Sequence, residues 1–460
     1  MADNNTLGTE KIGKLLLNLA LPAITAQIIN LLYNLVDRIY IGHIPEIGSA
    51  ALTGVGVTFP IIMIVSAFSS LVGMGGAPQA SIMMGRKDHR GALKVVGNCV
   101  TFLTIIAVLL TAAILIFKRD LLMLFGASVN TIGYAEDYLT IYALGTIFVQ
   151  YALGLNMFIT CQGFAKTSML TVLIGAVLNI ILDPIFIFGF GMGVQGAALA
   201  TILSQAVSAV WVVKFLCGKK TTLKIKRENL RLQKEIILPV LALGVSPFIM
   251  QSTESLLFVC LNSSLQRYGG DIAVGAMTIL SSVMQLATLP LQGLTQGAQP
   301  IVSYNFGAQK LDRVKKAFQL LLLSAMAFSI ALWLGVMLLP RAFAGLFTSD
   351  TALIDYTAGS LRVYFAAGLV MGAQMACQQT FIALGNAKSS VFLALLRKVI
   401  LLIPLIYILP LFLEDQVFAV FLAEPIADTL AAATTVTMFT VSFKKLMKNQ
   451  KAAVAASTYE

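Results

Sequence analysis

Four carboxylates lie inside long apolar stretches of the sequence, and they are the residues best placed to do chemistry there. They are Asp37, Asp183, Glu254 and Glu424, in a chain of 460 residues. An ionised side chain inside a membrane is costly unless it is paired, hydrated or protonated, and such residues commonly mark ion or substrate pathways. Each of the four is therefore a candidate for binding a proton, a metal cation or a cationic ligand.

The two carboxylates of the first half are accompanied by other oxygen-bearing side chains. Counting about 1.5 Å per residue along helices puts Asp37 and Asp183 in the outer half of the membrane, and Thr201 returns to that depth. Asn179 precedes Asp183 by four residues and so shares its helix face. Such a cluster of hard oxygen ligands can hold Na⁺ or share a proton. Asp37 could instead cap a helix end or pair with Arg38.

The second half offers a different set of polar side chains around Glu254. Glu254 is a candidate for contacting a cation, because neighbouring amides and hydroxyls can hydrogen-bond either of its protonation states. Amide and thioether side chains recur nearby at helical spacing: Gln251, Met284, Gln285, Met371, Gln374, Met375 and Gln378. Flexible methionines with neutral amides suit a cavity that accepts varied amphipathic molecules. Interhelical hydrogen bonding and gap filling explain them equally well.

Two basic residues, Arg397 and Lys398, interrupt the eleventh apolar stretch. We expect both side chains to snorkel toward the cytoplasmic edge of the membrane, as long basic side chains commonly do. If they line a cavity instead, they repel cationic ligands. Whether Glu254, Glu424 and Asp428 take part in ion coupling stays open from the sequence.

Signatures of catalysis or of a resident metal are weak. The two histidines, His43 and His89, lie in predicted loops without a neighbouring nucleophile or ligand partner. Residues 191–196 match the GxGxxG pattern, but they form a turn between two apolar stretches and not the strand-to-helix turn of a dinucleotide site. The five cysteines show no CxxC spacing, so neither a disulfide framework nor a zinc site is indicated. We predict that the chain is not an enzyme and has no cofactor.

The composition shows which elements must position these residues. Hydrophobic residues make up 58% of the chain and charged residues 12%, and the mean hydropathy is +0.87. Such a chain is too apolar to be a soluble globular protein. Its apolar residues come in twelve runs near the length that crosses a hydrocarbon core of about 30 Å as a helix. We predict an all-α, polytopic membrane protein with twelve transmembrane helices.

The basic residues indicate how this protein lies in the membrane. Twelve spans put both termini on one side, and 23 Lys and Arg residues fall on that side against four in the opposite loops. Basic residues are enriched in cytoplasmic loops. We therefore expect a protein of the inner (plasma) membrane with both termini in the cytoplasm. The net charge of +11 then reflects orientation, and we expect no nucleic-acid partner.

The chain contains an internal repeat. Four short matches recur 222 positions later: 19–21 at 241–243, Gly85 at Gly307, 124–125 at 346–347 and 165–168 at 387–390. Because each copy has six spans, both cross the membrane in the same direction, and transporters with such parallel repeats handle substrate between the halves. The predicted units are an N-terminal tail 1–14, an N-lobe 15–216, a basic linker 217–235, a C-lobe 236–443 and a basic C-terminal tail 444–460.

The whole chain resembles the multidrug and toxic compound extrusion (MATE) family, in its MepA-like and DinF-like branch. The most specific part of the resemblance is NIILDPIFIFGFGMGVQGAALAT at 179–201, supported by residues 22–37 and by the basic loops after spans two and eight. The resemblance implies an N-lobe cation site for H⁺ or Na⁺. This site falls on Asp37, Asn179, Asp183 and Thr201, with Tyr138 and Asn156 in a wider network.

The resemblance also implies a function. It predicts a V-shaped, outward-opening pair of lobes and a secondary active multidrug efflux transporter. Such a transporter exports amphipathic, cationic organic compounds in exchange for H⁺ or Na⁺ by alternating access. Branches that bind the cation in the C-lobe have an Asp in span ten, and this chain has no acid between Asp355 and the end of that span. We therefore expect coupling in the N-lobe, drugs and membrane lipid as partners, and a monomer.

Two other classes stay open. A flippase for a lipid-linked precursor, from the same broad superfamily, would typically have more spans and several basic residues facing the cavity. Arg362, Arg397 and Lys398 are its only support. A membrane sensor or channel would more readily form by oligomerisation, and it has no need of a twofold repeat with carboxylates in one lobe.

Overall fold

The computed structural model describes residues 6–457 of the chain, and helices dominate it. Nine helices in this part of the chain are long and apolar enough to cross a membrane. One of them, Lys234–Gly307, has 74 residues. At the rise of an α-helix it would be about 110 Å long, more than three times the thickness of a hydrocarbon core. It contains two spans, which meet at Gly270, where a φ of 65° breaks the helix.

Two further spans are each built from shorter helices. Ile132–Leu144 and Thr146–Thr160 form one span, with a bend of 61° between them. Thr351–Tyr364 and Gly368–Ala383 form the other, with a short break between them. Together with the two spans of the long helix, these complete the twelve predicted spans. The prediction of an all-α membrane protein is confirmed.

The spans are numbered 1 to 12 in chain order. They are helical because lipid offers no hydrogen-bond partners, so the backbone of each span must satisfy its own polar groups. Their bounds are Ile12–Gly42, Gly48–Gly85, His89–Leu124, 132–160, Ala165–Gly189, Gly193–Cys217, 234–269, 271–307, Leu311–Leu338, 351–383, Ala387–Leu411 and Gln416–Ser457.

Three spans contain a wide turn of the π-helical type, in which backbone hydrogen bonds reach one residue further than in an α-helix. These turns are Tyr151–Leu155 in span 4, Ile185–Gly189 in span 5 and Leu396–Leu402 in span 11. Turns of this kind are frequent at functional sites. The turn in span 5 follows directly on Asp183 and Pro184, and the turn in span 11 contains Arg397 and Lys398.

Glycines let the two six-span lobes approach each other at backbone distance. A β-carbon on Gly75 in span 2 would overlap the backbone of Val240 in span 7, and one on Gly297 in span 8 would overlap Ala20 in span 1. Gly75 and Gly297 are 222 positions apart, which is the offset of the sequence repeat. The same contact is therefore made twice, once by each lobe against the other.

Spans 2 and 8 also cross each other. β-Carbons on Gly85 and Gly307 would overlap the backbone oxygens of Tyr304 and Ile82, respectively. Gly85 corresponds to Gly307 and Ile82 corresponds to Tyr304 at the same offset of 222. A twofold axis therefore passes through this crossing, and the predicted parallel repeat of two six-helix lobes is confirmed.

The described contacts between the lobes extend from mid-span to the face of the bundle that carries both ends of the chain, called here the terminal face. Gln27 Nε2 donates to Gln296 Oε1 (3.3 Å), and Ser70 Oγ donates to Gln251 Oε1 (2.8 Å). Spans 1 and 7 begin at the terminal face and spans 2 and 8 end there, so the glycine crossings fall in its half of the bundle and these two hydrogen bonds lie near mid-span. We infer that the cleft between the lobes opens toward the opposite face, away from these contacts.

A short helix before span 1, Thr6–Thr9, ties the lobes together at the terminal face. Asn305 Nδ2 and Arg313 Nη2, both in the C-lobe, donate to the backbone oxygen of Leu7 (2.9 and 3.1 Å). The Leu7 side chain is 2% exposed and lies against Gly163 of the N-lobe. Part of the predicted N-terminal tail is thus built into the fold, while residues 1–5 lie outside the described chain.

The linker between the lobes is held against the N-lobe by side-chain amides. Gln162 Oε1 accepts hydrogen bonds from Thr222 N (2.9 Å) and Leu223 N (3.1 Å). Asn98 Oδ1 accepts one from Gln233 N (2.6 Å). These bonds satisfy backbone groups of a segment that has little regular secondary structure, and they fix it to one lobe.

We expect Gly244→Ala to destabilise the contact between the lobes. A β-carbon at Gly244 would overlap the backbone of Leu71, so spans 2 and 7 would have to separate. Overpacking of this kind costs about 1 to 3 kcal/mol. Gly56→Ala in span 2 is the matched control, since no described atom lies within 4 Å of its β-carbon position. The melting temperature of the purified protein should fall only for Gly244→Ala, and equal shifts for both variants would contradict the crossing.

Candidate cation site in the N-lobe

A small cavity of about 30 Å³ lies among spans 1, 4, 5 and 6 of the N-lobe. Gly175 and Ala176 of span 5 leave room for it, because one has no side chain and the other only a methyl group. Its polar lining includes Asn30, Tyr33, Thr171, Asn179, Thr201 and Ser208. The cavity therefore reaches two of the residues that the sequence predicts for the cation site.

Asn179 is the hydrogen-bonding centre of this site. Its Nδ2 donates to Asp183 Oδ1 (3.2 Å) and to Thr201 Oγ1 (3.4 Å). The Thr201 hydroxyl in turn donates to the backbone oxygen of Ala197 (3.0 Å). Asn179 and Asp183 are 2% and 0% exposed, on one face of span 5 as their spacing predicts.

Span 1 brings Asp37 against this group. The carboxyl groups of Asp37 and Asp183 lie close enough to interact directly. Tyr33, one helical turn before Asp37, lies near both carboxyl groups. Tyr138 from span 4 places its hydroxyl beside Thr201. Sequence reasoning missed Tyr33, although its four-residue spacing from Asp37 was a signal for a shared helix face.

Asn156, predicted for the wider network, lies elsewhere. Its Nδ2 donates to the backbone oxygen of Ser168 (3.2 Å), near the start of span 5. Ser168 is eleven residues before Asn179, or about 16 Å along the helix. The structure therefore brings together Asp37, Tyr138, Asn179, Asp183 and Thr201, and it leaves Asn156 apart.

Three buried oxygens of the cluster have no hydrogen-bond donor in the described chain: Asp37 Oδ1, Asn179 Oδ1 and Asp183 Oδ2. A buried acceptor without a donor costs about 1 to 3 kcal/mol, and more when it is charged. Neighbouring carboxylates also repel each other when both are ionised. A proton or a small monovalent cation would relieve both penalties, and the donor set of carboxylate, amide and hydroxyl oxygens suits either.

The C-lobe arranges its charges differently. Arg397 donates to Asp428 Oδ1 through Nε (2.6 Å) and to Glu424 Oε1 through Nη2 (3.3 Å). Lys398 Nζ donates to the carboxylate of Glu254. The expectation that Arg397 and Lys398 snorkel to the membrane edge is therefore wrong. Both occupy the wide turn of span 11 and point into the lobe, where carboxylates compensate their charge.

The predicted substrate-binding residues of the C-lobe divide into two groups. Exposed or half-buried side chains belong to Gln251, Glu254, Met284, Gln285 and Met375. Buried side chains belong to Met371, Gln374 and Gln378. The buried group makes contacts between helices, such as the hydrogen bond from Gln378 Nε2 to Met250 Sδ (3.2 Å). In this conformation only the first group borders open space.

Comparison with known proteins decides the family. The sequence model of the MatE family matches the chain over residues 22–185 and 247–408, well over half of its length. The chain belongs to the MatE family. The two matched segments fall one in each lobe, so the repeat visible in the glycine contacts is also present in the family's sequence pattern.

Relatives and a solved structure agree with this assignment to the MatE family. The multidrug export protein MepA of Staphylococcus aureus (strain N315) is 26% identical over 401 residues, which are 86% of this chain and 87% of that protein. MepA of Staphylococcus haemolyticus (strain JCSC1435) is 26% identical over 423 residues, 91% of this chain and 92% of that protein. A crystal structure of MATE in the bent conformation superposes with a TM-score of 0.91, covering 98% of this chain and all of that one at 23% identity.

Membership of the MatE family settles the broad class of the protein. MatE proteins are transporters, so this chain is a multi-pass membrane transporter and not an enzyme. Both statements confirm predictions from the sequence. The likeness to the solved structure, at under 25% identity, adds the fold of two six-helix lobes.

We expect Asn179→Ala to destabilise the N-lobe of this MatE protein. The substitution removes the donor to Asp183 and Thr201 and leaves buried oxygens unsatisfied, at a cost of about 1 to 3 kcal/mol. Ser204→Ala is the control, because the buried Ser204 hydroxyl has no partner in the described chain. Thermal unfolding in detergent should show a lower melting temperature for Asn179→Ala alone. A similar shift in both variants would argue against the hydrogen-bonded cluster.

Proposed function

We propose that this chain is a secondary active exporter of amphipathic, cationic organic compounds, driven by inward movement of H⁺ or Na⁺. The observation that carries the proposal is the N-lobe cluster. There, the carboxyl groups of Asp37 and Asp183 face each other beside Asn179, with buried oxygens that lack donors. Such a site gains from taking up one positive charge. The relatives that export multiple drugs span most of the chain, which supports the choice of cargo.

Uptake of the cation acts on the packing of the N-lobe. A proton or Na⁺ lowers the negative charge of the cluster by one, so Asp37 and Asp183 can pack together without repulsion. Asp183 directly precedes Pro184, which cannot donate a backbone hydrogen bond, and the wide turn Ile185–Gly189. Span 5 therefore bends easily at this level. Neutralisation repacks spans 1, 5 and 6 around the cavity.

Span 1 carries this change to the cleft. Its outer part holds Asp37, and its inner part contacts the C-lobe through Ala20 and Gln27. A shift of span 1 at the cation site therefore alters the contact between the lobes. We propose that the terminal face lies in the cytoplasm of the cell, so that the described conformation opens outward. Cation entry from outside then favours the state that has released its cargo.

We expect Asp37→Asn and Asp183→Asn each to abolish gradient-driven transport while the protein still inserts and folds. Each change removes one negative charge from the cluster, so no cation is needed to neutralise it. The measurement is movement of a fluorescent organic cation in proteoliposomes, first with a pH gradient and then with a Na⁺ gradient. The gradient that drives wild-type transport identifies the coupling ion.

The matched control for this experiment is Asp120→Asn, an exposed carboxylate of the same lobe outside the cluster. It should transport like the wild type. Normal transport by both cluster variants would overturn coupling in the N-lobe. No movement by the wild type under either gradient would overturn antiport of this cargo class, and flipping of a lipid-linked precursor would then be tested in the same vesicles.

A native cysteine tests the proposed orientation. Of the five cysteines, Cys217 at the end of span 6 is exposed, and the other four are buried. Cys217 lies at the terminal face, so a membrane-impermeant maleimide should label it in inside-out vesicles and not in intact cells. Cys217→Ser should remove the labelling in vesicles. Labelling of the wild type in intact cells would place the terminal face outside.

A further inference from the structure

Lys398 and Glu254 form an ion pair whose two members differ in accessibility. The Lys398 side chain is 4% exposed, while that of Glu254 is 62% exposed. Lys398 Nζ also donates to the backbone oxygen of Met250 (3.0 Å). The ammonium group is therefore anchored inside the C-lobe, and the carboxylate that it neutralises can be reached from outside the pair.

The surroundings of the Glu254 carboxylate indicate where its exposed part lies. Its carboxylate lies near Lys398, Arg397 and Tyr364, which come from spans 10 and 11. Gln251, one turn before it on span 7, contacts Ser70 of the N-lobe across the interface. Glu254 thus borders the cleft between the lobes, where an amphipathic cargo would bind.

Lys398 is the basic residue that neutralises Glu254, because the neighbouring Arg397 already pairs with other carboxylates. Arg397 binds both Glu424 and Asp428, at 3.3 and 2.6 Å. The group of five contains two cations and three carboxylates, and thus one negative charge in excess when all are ionised. Without Lys398 the excess would be two, and the added charge would stand on the accessible carboxylate.

The repeat shows what the same positions look like without these cations. At the offset of 222, Arg397 and Lys398 correspond to Gly175 and Ala176 in span 5. Both of these residues line the open N-lobe cavity. Where the N-lobe has two small residues beside a cavity, the C-lobe has a guanidinium and an ammonium group at the corresponding sequence positions.

We propose that Lys398 is a tethered cation that determines charge selectivity, by competing with the positive group of the cargo for Glu254. The proposal rests on the proposed export of organic cations and names the residue that limits their affinity. A cargo cation meets a carboxylate whose charge is already balanced, so binding draws on the apolar part of the molecule. Removing the ammonium group exposes the full charge of Glu254 to the cleft.

The test is binding of ethidium, a monovalent aromatic cation, to the purified full-length protein, followed by its fluorescence. Lys398→Met should lower the Kd by about tenfold, the size of one charge interaction at a partly hydrated site. Glu254→Gln should raise the Kd, because it removes the accessible carboxylate that attracts the cargo cation. In the Glu254→Gln background, Lys398→Met frees no carboxylate, so it should strengthen binding much less than it does in the wild type.

Two controls separate charge from packing and folding. Lys388→Met removes an exposed lysine from the same span and should leave the Kd unchanged. A neutral dye, Nile red, should bind wild type and Lys398→Met alike, and equal strengthening for both dyes would overturn the proposal. If Lys398→Met is not monodisperse, Glu254→Gln still tests the proposal. An unchanged Kd of Glu254→Gln for ethidium would contradict competition at this carboxylate.

The binding experiment tests the role of Lys398, and the transport experiment tests the proposed antiport, so either proposal can fail without the other. An unchanged Kd in Lys398→Met, or the same change in the Glu254→Gln background, overturns the role of Lys398 even if ethidium is exported. Absence of binding in every variant, Lys398→Met included, overturns it as well. Ethidium binding could follow the predicted pattern while neither ion gradient moves the dye. That outcome would support the role of Lys398 and would contradict only the proposed antiport.

Discussion

A charge buried in an apolar lobe must be compensated, and the two lobes of this transporter meet that constraint in opposite ways. The C-lobe supplies its own cations, with Arg397 held between two carboxylates and Lys398 paired with Glu254. The N-lobe cluster has buried oxygens on Asp37 and Asp183 without a donor. The C-lobe is compensated by covalently attached charge, whereas in the proposed mechanism the N-lobe takes up a cation that arrives and leaves. Only the arrangement of the N-lobe is suited to respond to an ion gradient.

Duplication explains how a single fold accommodates both arrangements. The backbone contacts between the lobes occur in equivalent pairs, as Gly75 with Gly297 and Gly85 with Gly307 show. The charged positions are not equivalent. At the offset of 222, Asp183 corresponds to Leu405. The interface therefore retains twofold symmetry, while the interiors of the two lobes have diverged. This symmetry suits the rocking of one lobe against the other in the proposed mechanism.

The N-lobe cluster could be predicted largely because its geometry is local. Asn179 and Asp183 share a helix face by their spacing, and counting along helices brings Asp37 and Thr201 to the same depth. The C-lobe pairs could not be predicted in this way. Lys398 meets Glu254 across 144 positions of sequence, through a wide turn that no composition signal marks. Snorkelling depends on the distance from a basic side chain to water, whereas Arg397 and Lys398 are held by carboxylates packed around span 11.

In the proposed alternating-access cycle, the short helix ahead of span 1 affects how long the molecule stays open to either side. Leu7 is bonded to Asn305 and Arg313 in one lobe and packs on Gly163 in the other, all at the closed end of the cleft. Opening at this end requires the short helix to break its contacts with one of the two lobes. The free energy of those bonds thus becomes part of the difference between the two open states. The time spent in each is set partly by residues that touch neither ion nor cargo.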